Sequence, residues 1–431
     1  MATHPISKLA IVVGGGPAPG INGVISAVTL QANNHGIQVF GMMDGYKHLV
    51  TGKPEMIGPL VKNDVRYLDL RGGSMLRTSR TNPTKNPADM ENVLRVFREL
   101  EIDALVSIGG DDTAYSASQV YRGSGGKIRV AHVPKTIDND LPLPGSTPTF
   151  GFETARQLGT YIVRNMAEDA RTTSRWYLIV SMGRAAGHLA LGIGKASAAT
   201  LTIISEEFRG RSVTIDELCD IVLGSIIKRE ADGMKYGVVV LAEGLIEAIG
   251  AKALAAHLQN DQLGRYGQIV QDQFGHLRLG EIEFGRMFRD ALTDRLGPLG
   301  LKTTFVDKDL GYELRCANPI PFDSEYTRDL GYGAVKFLLS EQAGKLGAII
   351  SYVQGHMEPL PFDTMIDPET KRMKTRLVNV SGEGYECARR YMIRLEKPDF
   401  ENAAFLAKMA AVVNMSVPQF RTRFEYLVMG T

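Results

Sequence analysis

Continuous apolar runs alternate with amphipathic stretches along most of the chain. The runs are "LAIVV" before Gly14, "ALVSI" before Gly109, "RVAHV" before Pro134, "WYLIV" before Ser181, "LTII" before Ser205 and "VVVLA" before Glu243. They do not alternate apolar with polar positions, so they predict strands buried on both faces, as in parallel sheets. Between them the spacing is helical. "NPADMENVLRVFREL" sets Asn86 and Pro87 at the cap and first turn, and puts Met90, Val93, Leu94 and Phe97 on one face. "TARQLGTYIVRNMAEDA" and "TIDELCDIVLGSII" behave in the same way. The expected fold class is α/β, with two doubly wound domains and largely parallel sheets.

Punctuation in the chain suggests where those domains divide. "LPLPGSTPTFG" carries three prolines and reads as a connection, so a first domain is expected to end near Phe150. A strand-like run, "AIISYV", stands ahead of "QGHMEPLPF" and returns the chain to the first sheet. The expected organisation is residues 1–150 plus about 316–360, residues 151–315, and a mostly helical segment 361–431 packing on both domains, with "FENAAFLAKMAAVV" its clearest helical pattern.

Composition narrows the function classes. The chain has 431 residues, 44% of them apolar and 23% charged, enough to bury a large core. Lys plus Arg number 49 against 48 Asp plus Glu, so nothing in the overall charge points to a nucleic acid or a membrane. Cys219, Cys316 and Cys387 are far apart and have no metal-ligand spacing, which fits a reducing compartment. With no signal-peptide pattern and no run of about 18 apolar residues, the expected location is cytoplasmic.

The chemistry gathers where the apolar runs end. In open parallel sheets ligands bind beyond the carboxyl ends of the strands, near the point where the winding reverses. "GGGPAPGINGV", "GGDDTA" and "PKTIDNDL" all stand at such ends. Gly14–Gly20 form a glycine-rich turn ahead of a helix starting near Ile21, which reads equally as an anion cradle or as tight packing; it has neither strict GxGxxG spacing nor a Walker lysine. Asp138 and Asp140 share a face if extended, with Thr136 two residues back. They could hold Mg²⁺ and take a proton from an alcohol, or could cap a solvated turn.

Seven motifs in order, "GGGPAPGIN", "RGGSMLRTSR", "GGDDT", "PKTIDND", "SMGRAAGHLAL", "AEG" and "LGYELR", resemble the phosphofructokinase family from about Lys8 to Gln354. The resemblance implies Mg²⁺-dependent phosphoryl transfer to the 1-hydroxyl of fructose 6-phosphate, at a cleft between two α/β domains. It makes Asp138 the general base, flanked by Thr136 and Asp140, and Asp111 the magnesium ligand. Gly15 falls under the donor phosphates and Arg80 spans donor and acceptor. Met182, Gly183, Arg184, Glu243, Tyr312 and Arg315 become sugar-phosphate contacts. Arg175 matches an arginine that crosses from a neighbouring subunit, which implies a homodimer or homotetramer. Taken singly, each of these side chains has a structural reading in a core or on a solvated face.

Two positions concern the donor. The ATP-using branch of the family has glycine at Asp112 and typically at Lys135. A carboxylate at Asp112 takes the place of a nucleotide α-phosphate, and two unit charges 4 Å apart repel by about 1 kcal/mol in water and about 4 kcal/mol at an effective dielectric near 20. Lys135 offers an ammonium to the transferred group or the departing phosphate. The pair resembles the pyrophosphate-dependent branch, with pyrophosphate and fructose 6-phosphate as expected ligands and a reaction that runs in both directions. The alternatives are an ATP-dependent phosphofructokinase adapted around Asp112, an enzyme for another sugar phosphate such as sedoheptulose 7-phosphate, and a non-catalytic sugar-phosphate-binding relative. A dinucleotide-binding dehydrogenase fails on glycine spacing and on the absence of a clear acidic residue ending the second strand. Arg77 departs from the family, which usually has glycine there, and is expected to face solvent.

Overall fold

The computed structural model describes residues 6–250, 254, 266–267, 282–370 and 372–429. They form two compact units, residues 1–155 with 312–376 and residues 156–311 with 377–431. The divisions thus fall near 155, 311 and 376, where the sequence pattern suggested 150, 315 and 360.

The first unit is built on a seven-stranded sheet: β1 (Lys8–Val13), β2 (Gln38–Met42), β3 (Ile57–Leu60), β4 (Ala104–Gly109), β5 (Arg129–Pro134), β10 (Ala348–Val353) and β11 (His356–Pro361), in the order β11-β10-β5-β4-β1-β2-β3. β1, β2, β4, β5 and β10 are mutually parallel, and β3 and β11 close the two edges antiparallel. From β1 the chain winds outward through β2 and, in the other direction, through β4 and β5. The winding therefore reverses between β1 and β4. Val13 pairs with Ile108, and Gly109 with Pro134, so the three central strands end level with one another. All six residues of β4 are buried, as its uninterrupted apolar pattern requires. The run "AIISYV" returns to this sheet as β10, beside β5.

Helices α1 (Ile21–Asn34), α2 (Pro87–Glu99) and α3 (Asp111–Gly123) cover this sheet together with the helix Pro321–Leu339. In α2 the expected face is the buried one, through Val93, Leu94 and Phe97. Asp323 ties the last helix to the chain ahead of α4 (Phe152–Thr173). Its buried carboxylate accepts from the Gly151 and Thr154 amides, each at 2.8 Å, and from the Thr154 hydroxyl at 2.5 Å.

The second unit has a wholly parallel four-stranded sheet: β6 (Trp176–Ser181), β7 (Leu201–Ile203), β8 (Gly237–Ala242) and β9 (Phe305–Leu310), in the order β7-β8-β6-β9. Helices α5 (His188–Ser197) and α6 (Ile215–Ala231), the latter capped by the Thr214 hydroxyl, pack on it. The C-terminal helices join this core through Phe400, Leu406, Met409, Phe420 and Phe424. Asp220 receives both guanidinium nitrogens of Arg423 at 2.5 Å and the Tyr426 hydroxyl at 2.6 Å. The helical pattern of "FENAAFLAKMAAVV" is realised as two helices, Lys397–Glu401 and Ala403–Val412. Asn402 breaks it by capping the second, its side chain accepting from the Phe405 amide at 3.1 Å. Among the described residues no helix is long and apolar enough to cross a membrane, and Cys219, Cys316 and Cys387 are all free thiols.

Packing at the reversal point explains two glycines. A Cβ at Gly14 would stand 2.5 Å from Thr113 Oγ1, and one at Gly109 would stand 2.3 Å from Thr113 Cβ. The first turn of α3 can sit between the ends of β1 and β4 only because neither strand end carries a side chain. Gly14→Ala is therefore expected to lower stability by about 1–3 kcal/mol through overpacking, with Thr113→Ala restoring part of the loss in thermal unfolding. A Gly14→Ala protein that melts with the parent would remove this packing argument.

Candidate active site

Three loops meet at the carboxyl ends of the central strands of the first unit. After β1, the Gly14 amide donates to Ile108 O and the Gly15 amide to Ser79 O, both at 2.9 Å. Thr78 donates its hydroxyl to Gly15 O at 2.7 Å, and Gly14 bridges Ser79. The "RTSR" segment is thereby laced onto the glycine turn, with the exposed Arg80 immediately beyond it. Gly15 has φ 82°, a left-handed conformation that glycine adopts without strain.

After β4, Asp111 and Asp112 occupy the first turn of α3, where carboxylates interact favourably with the helix dipole. The loop beneath them is pinned by a residue that sequence reasoning passed over. His132, fully buried in β5, lies opposite Ser107 in β4. Its Nε2 is 3.0 Å from Gly109 O, which can only accept, so the proton resides on Nε2 and Nδ1 faces the Ser107 hydroxyl at 3.3 Å. Burial pushes the imidazole down to about 3, so it stays neutral and acts by hydrogen bonding. The signal was a histidine inside the otherwise apolar run "RVAHV".

After β5 comes "PKTIDND". The Lys135 amide donates to Gly109 O at 2.8 Å, fixing this loop to the preceding one. Thr136 is a local organiser: its hydroxyl oxygen accepts the Asp138 amide at 3.0 Å. Between the two aspartates, Asn139 takes φ 56°.

Electrostatics centre on Lys135, which is only 4% exposed. Its ammonium donates to Gly16 O and stands where a Cβ on Gly15 would lie 3.4 Å away. Burial and the nearby Arg315 guanidinium push its pKa down to about 8, against the opposing pull of Asp138, Asp140 and Asp111. Arg315, on the helical turn Tyr312–Arg315, lies beside Gly16, where a Cβ would stand 3.5 Å from its Cζ. The guanidinium also stacks over the Tyr312 ring at 4.8 Å. The structure thus groups Arg315 with Lys135 and the glycine turn in the first unit. Asp140 is pushed up to about 7 by burial and then by the charges of Asp138 and Asp111, and its buried Oδ1 has no hydrogen-bond partner. An orphaned carboxylate oxygen and excess negative charge suit a divalent cation. Among the described residues no three His, Cys, Asp or Glu side chains form a ready-made cage.

The second unit brings its own group together. Met182, Gly183 and Arg184 follow β6, and Glu243 follows β8. Gly183 donates its amide to Glu243 Oε2 at 3.1 Å, and the Glu243 amide donates to Ser181 O at 2.9 Å. Arg175 is not part of this group. It precedes β6, six residues and about 20 Å of strand from the opposite end, and its Nε lies 4.0 Å from Asp169. Arg77 is exposed, with φ 55°, the conformation that favours glycine, and its recorded ion pair is with Asp44 at 3.4 Å.

A family model described as phosphofructokinase matches residues 8–338. The pyrophosphate–fructose 6-phosphate 1-phosphotransferase of Thermotoga maritima is 50% identical over 418 residues, covering 97% of this chain and 98% of its own length. The protein of the same name from Naegleria fowleri is 47% identical over 432 residues, covering 98% and 96%. Among solved structures, the pyrophosphate-dependent phosphofructokinase of Nitrosospira multiformis superposes with a TM-score of 0.62 over 94% of this chain and 92% of that one. At 17% identity, that last similarity speaks to the fold alone. With its strand-end loops, its glycine turn and a family match that spans most of its length, this chain belongs to the phosphofructokinase family.

Proposed function

We propose that this chain catalyses reversible, Mg²⁺-dependent transfer of a phosphoryl group from pyrophosphate to the 1-hydroxyl of fructose 6-phosphate, giving fructose 1,6-bisphosphate and phosphate. The observation that carries the donor assignment is the buried Lys135 ammonium at the Gly15–Gly16 turn, with Asp112 on the first turn of α3. A donor without a nucleoside needs a cation at its phosphates, and a carboxylate at the helix terminus opposes a third phosphate-like charge. Relatives of nearly the same length and about half identical in sequence carry the pyrophosphate-dependent name.

In this reading Asp138 accepts the proton of the sugar hydroxyl as its oxygen bonds to phosphorus, and the bond to the leaving phosphate breaks. Lys135, with Arg80 and Arg315, meets the charge that develops on the leaving and transferring oxygens. Thr136 holds the amide of Asp138. Asp111, with Asp140 beside it, would hold Mg²⁺, which supplies charge neutralisation on the pyrophosphate oxygens. Met182, Gly183, Arg184 and Glu243 contact the sugar phosphate, and Tyr312 borders Arg315. Because Arg175 stands at the far end of β6 from Arg184, we assign it to the 6-phosphate bound by a neighbouring copy, in a homodimer or homotetramer. Such chemistry belongs to glycolysis and gluconeogenesis in the cytoplasm.

Initial rates with fructose 6-phosphate and Mg²⁺ test the assignment. Pyrophosphate should support turnover and ATP at the same concentration should not, by an enzyme that sediments as at least a dimer. Turnover with ATP alone would make the chain an ATP-dependent enzyme, and silence with both would favour a binding-only relative. The charge on Lys135 gives a pH signature. Its pKa lies near 8, below the ordinary 10.5, so the ammonium is present below that pH and lost above it. In the free enzyme, kcat/KM for pyrophosphate should fall about tenfold per pH unit above pH 8, and the limb should vanish in Lys135→Arg. A flat parent profile up to pH 9.5 would contradict the role given to Lys135.

A further inference from the structure

The loop that carries Asp138 is gripped by a residue beyond the segment matched by the family model. Arg376 donates its backbone amide to Asp140 O at 2.6 Å, Nε to Asn139 O at 3.1 Å and Nη1 to Thr147 O at 2.9 Å, and Nη2 to the Asn139 side-chain oxygen. We propose that Arg376 is a positioning residue for proton transfer: by fixing Asn139 it sets the direction in which Asp138 presents its carboxylate. The inference rests on reading Asp138 as the general base.

Asn139 is the joint on which this depends. It stands between Asp138 and Asp140 with φ 56°, a left-handed conformation that asparagine adopts more readily than other non-glycine residues, and the bonds to its side chain and carbonyl hold it there. A change there would swing both neighbouring carboxylates. Its side-chain oxygen also accepts the Thr149 amide at 3.1 Å, and the Thr149 hydroxyl donates to Thr136 O at 2.7 Å, so the segment around Thr149 closes on the same loop. A guanidinium presents its donors as a rigid planar fork, able to meet three acceptors on two chain segments at once. A lysine ammonium is a single point on a flexible stem.

The chain that delivers Arg376 is itself anchored. Ile366 and Met373 bridge antiparallel, Asp367 donates its amide to Arg372 O at 2.8 Å, and Lys374 donates its amide to Met365 O at 2.9 Å. Met373 is buried against the cluster that contains Phe362 and Met365. This turn follows β11, so the strand at the sheet edge ends in a brace for the loop at the sheet centre. The match to the family model stops at residue 338, well before it.

Arg376→Lys and Arg376→Ala, compared with Asp138→Asn, test the role. The expected result is a fall in kcat of about 10- to 100-fold for Arg376→Lys, with KM for both substrates within about threefold of the parent. Hydrogen exchange should quicken at the amides of residues 137–141, while the folded fraction by circular dichroism is kept. Asp138→Asn should lose about 10²- to 10⁴-fold without that change in exchange. If Arg376→Ala fails to fold, Arg376→Lys alone decides. A change in rate without a change in exchange, a change in exchange without a change in rate, or a rise in KM at unaltered kcat each overturns the proposal. A parent that turns over no pyrophosphate would defeat the reading of the reaction instead, and exchange alone would then decide whether Arg376 holds the loop.

Discussion

The ammonium of Lys135 is buried at the point where the winding of the first sheet reverses, and three loops depend on it. Its backbone amide joins the loop after β5 to the one after β4 through Gly109 O, and its side chain joins the same loop to the turn after β1 through Gly16 O. Such a charge is costly to bury and persists only where carboxylates oppose it. Asp138, Asp140 and Asp111 do so. Removing the lysine would leave the three carboxylates without the cation they surround.

This balance gives the proposed chemistry its shape. The ends of three level strands gather cations and carboxylates beside the glycine turn, over a floor fixed by the neutral His132. The floor is rigid because Thr113 fills the space that Gly14 and Gly109 leave open. Phosphates would meet the cations Lys135 and Arg315, and their counter-ion the crowded carboxylates, so binding would complete the network without rebuilding it. In the proposed function, the choice between a short and a long donor rests on Lys135 together with Asp112 at the start of α3.

Much of this was legible in the sequence because the central strands are buried on both faces. Runs such as "ALVSI" and "VVVLA" are continuous for that reason, and the functional loops follow directly from where they end. The strands that went unread are mostly edges. β3 and β11 carry prolines, tolerated because an edge strand leaves amides unpaired, and β9 reads "FVDKDL" with its middle partly exposed. Their apolar signal is weak for a physical reason. β2 is an inner strand interrupted by Gly41, whose missing side chain makes room for Leu76. Arg376 was illegible because its role comes from a fold-back of the chain over more than 200 residues, which no local pattern records. The motifs had already set Arg175 apart from Arg184, and β6 places them at opposite ends of one strand.

The central claim, that Asp112 and Lys135 together choose the phosphoryl donor, is tested most directly by the ratio of kcat/KM for pyrophosphate to that for ATP, in the parent and in the double variant Asp112→Gly, Lys135→Gly. The account predicts that the double variant loses pyrophosphate turnover and the ratio moves toward ATP. Pyrophosphate turnover unchanged from the parent would contradict it.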